Sequence, residues 1–396
     1  MKINIDSKKI NDLLSRSVEN VYPTKKFLED LLKSGKQLTI YLGIDPTGPS
    51  LHLGHANSLM KLAQFQELGH KIIMLIGSFT AMIGDPTDKL ATRKPLTREQ
   101  VLENCQKYKE QASAILKFDG ENPAELKFNS DWLDKLNFKE VIDLASNFTV
   151  QQMLERDMFD KRMNEGKPIG LHEFLYPLMQ GYDSVAMDVD GEVGGNDQTF
   201  NMLAGRTMMK AMKNKEKFVV TNKLLTDPTG KKMGKTEGNM VCLDDSAQDK
   251  FGKVMSWSDE MIVSAFELCT KESMDKVKEV AKRLKDGENP RNLKIELAEA
   301  IVAIYHGEEE AQKAKENFIN TFSKKETPDE MPEFELSGKN IVDVLVESKL
   351  VSSKSEARRT IEQKGVKVNG TVVGVECIVN KEDVVQKGKI HFLKIK

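Results

Sequence analysis

Two histidines at helical spacing are the first residues in this sequence that could do chemistry. His52 and His55 lie three positions apart with Gly54 between them, directly after a turn that is rich in proline and glycine. Side chains three apart on a helix share a face, so both imidazoles can point the same way. The N-terminus of a helix attracts phosphate through its N–H groups and its dipole. The pattern indicates a phosphate-binding turn, and two ordinary helix-start histidines are the alternative.

A helix face made of polar residues is the second candidate. Tyr176, Gln180 and Asp183 occupy positions i, i+4 and i+7, which lie on one side of a helix. Buried polar groups need hydrogen-bond partners, so the face predicts either a polar pocket or an outer surface in water. Pro177 must then lie in the first turn of this helix or kink it.

A loop with several lysines and glycines is the third candidate. Residues 231–239 read KKMGKTEGN and follow a strand-like segment. A P-loop needs four residues between its glycines, whereas Gly230 and Gly234 enclose three, so we exclude that reading. Lys232 and Lys235 on a loop hinged by glycine could close over a triphosphate and leave with it. A solvated charged loop is the alternative.

The segments HLGH (52–55) and KMGKT (232–236), in this order, resemble the HIGH and KMSKS signatures of the class I aminoacyl-tRNA synthetases. The longer segment YLGIDPTGPSLHLGH (41–55) is similar to the bacterial type of tyrosyl-tRNA synthetase. The resemblance extends from about Lys25 to the end of the chain. It implies that L-tyrosine is activated with ATP to tyrosyl-adenylate and pyrophosphate, and that tyrosine then passes to the 3'-terminal adenosine of tRNA(Tyr).

The resemblance also implies a role for each matching residue. The catalytic residues, which would contact or neutralise the triphosphate, are Thr47, His52, His55, Lys89, Arg93, Lys232 and Lys235. The residues implied to bind tyrosine are Tyr41, Asp45, Asp85, Tyr176, Gln180, Asp183 and Gln198, with Tyr41 and Asp183 on the phenol. The residues implied to bind ATP are Gly43, Asp45, Gly54, Gly195, Asp197 and Lys235. Mg²⁺ would arrive with ATP, and we expect neither a protein-bound metal nor an organic cofactor.

The elements that must position these residues form an α/β pattern. Residues 38–44 and 71–77 are continuous apolar segments, as expected of strands buried on both faces of a parallel sheet, and residues 56–68 between them have helical spacing. Such βαβ units bind ligands beyond the carboxyl ends of their strands. We therefore predict a Rossmann-like parallel-sheet catalytic domain over residues 1–240.

Three further segments follow the predicted catalytic domain. Residues 241–322 are predicted to be all-helical, which the resemblance implies to be the anticodon-binding domain, and residues 323–338 are predicted to be a linker because they combine prolines with many charges. Residues 339–396 resemble the small α+β αL RNA-binding domain of ribosomal proteins.

The C-terminal segment is basic. Residues 337–396 hold 12 Lys and Arg and 7 Asp and Glu, a net charge of +5, so with −2 for the whole chain the remainder carries −7. A basic tail on an acidic body favours a polyanionic partner. Lys354, Arg358 and Arg359 can form one basic helix face toward RNA phosphates, with paired surface charges as the alternative.

Other features of the whole chain indicate the cellular compartment of the protein. The four cysteines are scattered without a CxxC pair, which is typical of a reducing compartment. The N-terminus lacks an apolar signal core, and no segment approaches the roughly 20 apolar residues of a membrane span. We predict a cytoplasmic protein with no membrane partner. The resemblance implies a homodimer, with residues 138–166 contributing to it.

Three other functions share some of these features. A tryptophanyl-tRNA synthetase would share the fold and the motifs, but Tyr41 and Asp183 favour a phenol. A small-molecule adenylyltransferase could have the HxGH motif but would lack the KMGKT segment and the RNA-binding domain. An RNA-binding protein with an inactive synthetase body is disfavoured because both histidines and both lysines are present.

Overall fold

The computed structural model describes residues 3–86, 96–230, 240–323, 331–388 and 391–396. Its chain divides into two compact units, Met1–Glu308 and Glu309–Lys396. The predicted catalytic residues Lys89, Arg93, Lys232 and Lys235 lie outside the described residues. Within the described ranges, no helix is both long and apolar enough to cross a membrane.

A six-stranded sheet forms the centre of the first unit. Its strands, in chain order, are β1 Val18–Tyr22, β2 Thr39–Ile44, β3 Lys71–Ile76, β4 Glu125–Phe128, β5 Gly191–Gly195 and β6 Phe218–Asn222. The spatial order is β1-β6-β5-β2-β3-β4, in which β1 runs antiparallel to β6 and the other neighbours are parallel. In β3 every residue after Lys71 is buried, as the continuous apolar segment predicts. The predicted Rossmann-like fold class is therefore confirmed.

Helices surround this sheet and continue after it. The helices of the first unit are α1 Ser7–Leu13, α2 Lys25–Lys33, α3 Leu53–Glu67, α4 Thr80–Ile83, α5 Arg98–Cys105, α6 Tyr108–Ala112, α7 Ser130–Leu133, α8 Phe138–Ala145, α9 Val150–Leu154, α10 Asp157–Asn164, α11 Tyr176–Ala186, α12 Thr199–Lys213, α13 Ala247–Met255, α14 Ile262–Cys269, α15 Met274–Lys285 and α16 Pro290–His306. Pro177 lies in the first turn of α11, where its missing N–H costs nothing.

Residues 138–166 form three short helices, α8, α9 and α10. Asn137 accepts the backbone N–H of Glu140, and Thr149 accepts that of Gln152. Because each of these side chains caps a new N-terminus, the chain restarts its helix at α8 and again at α9.

The second unit combines helices with a small sheet. From Glu308 onward the helices are α17 Glu308–Ser323, α18 Ile341–Glu347 and α19 Lys354–Glu362, and the strands are β7 Glu333–Phe334, β8 Val366–Val368, β9 Thr371–Val372, β10 Val384–Lys387 and β11 His391–Ile395. The sheet order is β7-β11-β10-β8-β9. β7 lies inside the predicted linker and pairs in parallel with β11. The four-part domain division remains a prediction.

Candidate active site

The site lies where three parallel strands of the first unit end. Asp45 follows β2, Gly77 follows β3, and a 3-10 turn of Asn196–Gln198 follows β5. Strands β5, β2 and β3 are neighbours in the sheet, so these three ends lie side by side. Ligands of parallel sheets bind at this edge.

The two histidines cap helix α3 and hold each other in place. Nδ1 of His52 accepts the backbone N–H of Gly54 at 3.1 Å, and Nδ1 of His55 accepts the backbone N–H of His52 at 3.2 Å. The two rings stack with centroids 3.9 Å apart. Because Nδ1 accepts in both rings, the ring proton sits on Nε2, from which it can be donated to a phosphate oxygen. A Cβ at Gly54 would lie 2.9 Å from the His52 ring, so glycine is needed there.

Asp45 is held by two hydroxyl groups. Its Oδ1 accepts from Thr80 Oγ1 at 2.6 Å, and its Oδ2 accepts from the Tyr176 hydroxyl at 2.8 Å. A Cβ at Gly77 would come within 1.8 Å of Asp45 Oδ1, so only glycine lets this carboxylate lie beside β3. Burial raises the pKa of Tyr176 well above its ordinary value, and the charges of nearby aspartates, Asp45 first, add to the rise.

Asp183 is a buried carboxylate with two donors. It is 2% exposed, and Trp132 Nε1 donates to Oδ1 at 2.7 Å while Asn129 Nδ2 donates to Oδ2 at 3.3 Å. Burial raises the pKa of Asp183 well above its ordinary value, although the hydrogen bonds from Trp132 and Asn129 act in the opposite direction. A carboxylate of this kind is a strong acceptor for a ligand hydroxyl.

The Tyr41 hydroxyl lies against the same turn of α11 as Asp183. It is 3.0 Å from Ser184 Oγ and 3.5 Å from the Gln180 carbonyl oxygen, and the Tyr41 side chain is fully buried. Burial raises the pKa of Tyr41 well above its ordinary value, and the charges of Glu192 and Asp183 reinforce the rise. Tyr41 therefore keeps its proton and can donate it.

Two glutamine side chains of the site donate hydrogen bonds to carboxylates. Gln198 Nε2 donates to Asp85 Oδ2 at 2.7 Å, and Gln180 Nε2 donates to Glu192 Oε1 at 2.9 Å. Arg156 lies 3.7 Å from Asp85. Because the Gln180 amide nitrogen faces Glu192, its amide oxygen faces the other way, where it can accept from an ammonium group.

The remaining predicted residues lie in three places. Thr47 and Gly43 are exposed around the end of β2, and Gly195 adjoins the 3-10 turn that carries Asp197, whose Oδ1 would be 2.4 Å from a Cβ at Gly195. The predicted RNA-binding residues are exposed on α19 in the second unit, and they are Lys354, Arg358 and Arg359. Lys354 forms an ion pair with Asp343 at 2.8 Å.

Sequence reasoning missed the residues that support the pocket from outside. Those that bond directly to predicted site residues are Thr80, Asn129, Trp132, Ser184 and Glu192, and Lys217 contacts two of them. One signal was present: Lys217 directly precedes the apolar strand β6, and a charged residue at a buried strand edge requires a partner.

Comparison with known proteins places the whole chain among aminoacyl-tRNA synthetases. Residues 33–323 match the family model of class I tRNA synthetases (W and Y), and residues 324–393 match that of the tyrosine–tRNA ligase SYY-like C-terminal domain. The chain is 45% identical to tyrosine–tRNA ligase 2 of Clostridium acetobutylicum over 97% of both chains. It is also 45% identical to the tyrosine–tRNA ligase of Thermotoga maritima, over 97% of this chain and 96% of that one.

Solved structures agree on the fold. A C-terminally truncated mitochondrial tyrosyl-tRNA synthetase of Coccidioides posadasii is similar at 26% identity with a TM-score of 0.64, over 78% of this chain and 92% of that one. The tyrosyl-tRNA synthetase of Archaeoglobus fulgidus, solved in complex with L-tyrosine, has a TM-score of 0.61 at 22% identity, over 79% of this chain and all of that one. At the latter identity the likeness concerns the fold alone.

Proposed function

Because this chain belongs to the tyrosyl-tRNA synthetases, class I ligases that use ATP to join tyrosine to tRNA, we propose how its residues divide that work. None of the similarities favours the tryptophanyl alternative. The proposal names two parts of the site. The tyrosine end consists of Tyr41, Asp85, Tyr176, Gln180 and Asp183, and the nucleotide end consists of Gly43, Thr47, His52, Gly54, His55, Gly195 and Asp197.

The tyrosine end binds both termini of its substrate. The phenol of tyrosine donates to Asp183 and accepts from Tyr41, while its ammonium group donates to Asp85, Tyr176 and Gln180. The observation that carries this assignment is the buried pair of Tyr41 and Asp183: the protonated Tyr41 hydroxyl, from β2, lies against the turn of α11 that carries the Asp183 carboxylate. Phenylalanine offers neither hydrogen bond, and a buried group left without its partner costs binding energy.

The nucleotide end positions ATP for attack. The tyrosine carboxylate forms a bond to the α-phosphorus while the bond to pyrophosphate breaks, and Asp45 and Gln198 line this region. Nε2–H of His52 and of His55 donates to the phosphates, with Thr47 beside the γ-phosphate and Gly195 and Asp197 on the ribose. In such transfers the rate enhancement comes mainly from positioning the reactants and from stabilising the charge that develops in the transition state. Lys89, Arg93, Lys232 and Lys235 are assigned to the departing pyrophosphate, and Mg²⁺ arrives with ATP.

A comparison of two single variants tests the tyrosine end. Tyr176→Phe removes the hydroxyl assigned to accept from the tyrosine ammonium group, and we expect tyrosine affinity to fall about tenfold, the worth of one hydrogen bond, with a smaller loss of ATP affinity because Asp45 also loses a donor. Tyr305→Phe is the matched control, because the buried Tyr305 hydroxyl has no hydrogen-bond partner among the described residues. Calorimetry with each ligand measures both affinities. Equal tyrosine affinities in the two variants would refute the assignment.

The second unit contacts tRNA through α19. Arg358 and Arg359 are exposed on this helix, and exposed guanidinium groups suit phosphate oxygens. Lys354 adds a weaker contribution, since Asp343 competes for its charge. The aminoacyl transfer itself takes place in the first unit, where a ribose hydroxyl of the terminal adenosine attacks the tyrosyl carbonyl and AMP leaves.

The chain forms a homodimer through an apolar surface on the first unit. Large apolar side chains with more than half of their area exposed cluster in sequence here, and they are Phe138, Ile142, Val150, Met163 and Leu171. Exposed apolar residues at this density favour a protein partner. Phe138→Asp should shift the protein toward monomer in light scattering at micromolar concentration. A control, Met212→Asp, replaces an exposed methionine elsewhere and should leave the mass unchanged.

We place the enzyme in the cytoplasm. Its four cysteines, Cys105, Cys242, Cys269 and Cys377, are all free thiols, as is typical of a reducing compartment.

A further inference from the structure

Lys217 is a buried lysine to which neither the sequence motifs nor the proposed mechanism assigns a role. Its side chain is 0% exposed, and its Nζ donates to Ser184 Oγ at 2.8 Å, to the Met202 carbonyl at 3.2 Å and to a Glu192 carboxylate oxygen. An ammonium group has three N–H donors, and Lys217 has three acceptors. The geometry therefore fits the charged form of Lys217.

The space for this contact is made by two glycines. A Cβ at Gly205 would lie 2.5 Å from Lys217 Nζ and 2.7 Å from Ser184 Oγ, so any larger residue would separate them. Gly205 faces Gly181 across the crossing of α12 and α11, with 3.5 Å between that Cβ position and the Gly181 Cα. Helices α11 and α12 therefore cross closely next to the contact between Lys217 and Ser184.

Glu192 is already occupied on both oxygens. Its Oε2 accepts from Lys217, and its Oε1 accepts from Gln180 Nε2 at 2.9 Å. The Glu192 carboxylate raises the pKa of the Tyr41 hydroxyl through its charge and, to a smaller extent, through a side-chain hydrogen bond. Because each Glu192 oxygen already accepts one hydrogen bond and Lys217 matches its charge, Glu192 is a weaker acceptor for the proton of Tyr41 than an unpaired carboxylate would be.

The direction of each hydrogen bond follows from these contacts. Ser184 accepts from Lys217, so its own proton is directed to the second neighbour of its hydroxyl, Tyr41, 3.0 Å away. Tyr41 then accepts from Ser184, and its own proton is left for the Gln180 carbonyl, the Glu192 carboxylate or a ligand. The Gln180 carbonyl is 3.5 Å away, which is long for a hydroxyl donor.

We propose that Lys217 is a specificity-determining positioning residue: by donating to Ser184, it orients the Tyr41 hydroxyl as a donor to the phenol oxygen of bound tyrosine. The proposal rests on the assignment of Tyr41 to the phenol made under the proposed function. Asp183 accepts the proton of the same phenol. The substrate hydroxyl therefore accepts one hydrogen bond, from Tyr41, and donates one, to Asp183. Lys217 touches no substrate and acts through Ser184.

The test compares two variants that differ only at Lys217. Glu192→Gln supplies the background, and Glu192→Gln with Lys217→Met removes the lysine without leaving an unmatched buried charge. ATP–pyrophosphate exchange measures kcat/KM for tyrosine and for phenylalanine in both. We expect the tyrosine-to-phenylalanine ratio to be about tenfold lower in the double variant, the worth of one hydrogen bond, with the KM for ATP unchanged.

A second variant keeps both charges and the full chain. Gly205→Ala inserts a methyl group between Lys217 Nζ and Ser184 Oγ, and it should lower the same ratio if the contact matters. Lys61→Met is the control for the loss of a buried lysine, because Lys61 binds the carbonyls of Leu13 and Arg16 and a glutamine side chain. It should lower thermal stability and leave the ratio unchanged. If the double variant does not fold, Gly205→Ala decides.

Three outcomes would overturn the proposal. The ratio could be equal in the double variant and its background, or unchanged in Gly205→Ala, or the KM values for tyrosine and ATP could rise together, as in general damage. Tyr41→Phe separates this failure from failure of the pocket. If Tyr41→Phe lowers the ratio but removal of Lys217 does not, only the role of Lys217 is wrong. If Tyr41→Phe leaves the ratio intact, the phenol assignment is wrong and the proposal falls with it.

Discussion

The proposed tyrosine end of the site is made of buried side chains with hydrogen-bond partners, whereas the proposed nucleotide end is made of a helix N-terminus and partly exposed loop residues. Tyr41, Tyr176 and Asp183 are all buried, and each has a side-chain partner. Gly43 and Thr47 are exposed, and the histidines bond to backbone N–H groups of their own helix. The side chains of the tyrosine end are therefore fixed by hydrogen bonds before the ligand binds, whereas several residues of the nucleotide end are exposed to solvent.

The difference follows from what each ligand requires. Tyrosine must be distinguished from phenylalanine by one hydroxyl group, and that hydroxyl is worth most where water is excluded and the protein groups are already oriented. ATP carries a triphosphate, which any well-placed set of N–H donors and cations can hold, so exposure costs little there. In the proposed division of the site, burial serves discrimination at one end, and open access serves the entry and release of a charged ligand at the other.

Removal of the buried carboxylate should break the tyrosine end most severely. We expect Asp183→Ala to lower tyrosine affinity about a hundredfold, because a hydrogen bond to a charged group is lost and Trp132 and Asn129 lose their acceptor. ATP affinity should stay within about twofold, since the donors to Asp183 are Trp132 and Asn129, and neither is assigned to ATP. Calorimetry with each ligand measures both values, and Asp183→Asn, which keeps the side-chain volume, checks that packing is not the cause.

Asp131→Ala is the control for Asp183→Ala, because Asp131 is exposed and adjoins Trp132 in sequence. Undiminished tyrosine affinity in Asp183→Ala would contradict the pocket assignment.

Removal of one histidine should affect the nucleotide end alone. We expect His55→Ala to lower kcat for activation by about a hundredfold, because one donor to the developing charge is lost. Tyrosine affinity should remain at the wild-type value, which is the reverse of the Asp183 result. Pre-steady-state measurement of tyrosyl-adenylate formation separates the two quantities, with His391→Ala, on β11 of the second unit, as the control. A comparable loss of tyrosine affinity would show that the two ends are not independent.

Loss of the basic helix face should leave both ends intact. We expect Arg358→Ala with Arg359→Ala to spare ATP–pyrophosphate exchange and to raise the KM for tRNA about tenfold, with a shallower dependence on salt, because phosphate contacts release counterions. Removal of residues 337–396 should have the same sign and a larger size. Lys381→Ala is the control, an exposed lysine outside α19. Equal loss of exchange and aminoacylation would mean that this segment is structural.

Local patterns predicted the elements that carry the site. The segment before His52 predicted a strand, a turn and a helix start, and the structure has β2, a turn and α3 with His52 as its N-cap. The spacing of Tyr176, Gln180 and Asp183 predicted one helix face, and α11 spans all three. These predictions succeeded because strand burial, helix capping and helical periodicity depend on neighbours within a few residues.

The partners of the site could not be predicted in the same way. Asp183 is met by Trp132 and Asn129, which precede it by more than fifty residues and belong to the segment after β4. No local pattern links these positions, because the contact exists only once β3 and β4 pair and α11 folds against the segment that follows β4.

The sequence alone therefore determined the kind of chemistry: a helix start suited to phosphate, a polar helix face and the motifs that imply adenylate formation from tyrosine. Only the tertiary structure decided how the pocket is held. Lys217, Glu192 and Ser184 come from the edge of β6, from β5 and from α11, and they meet because glycines let α11 and α12 cross closely. Motif residues can be recognised from their own neighbourhood, whereas a hydrogen-bond direction depends on every group that surrounds it in space.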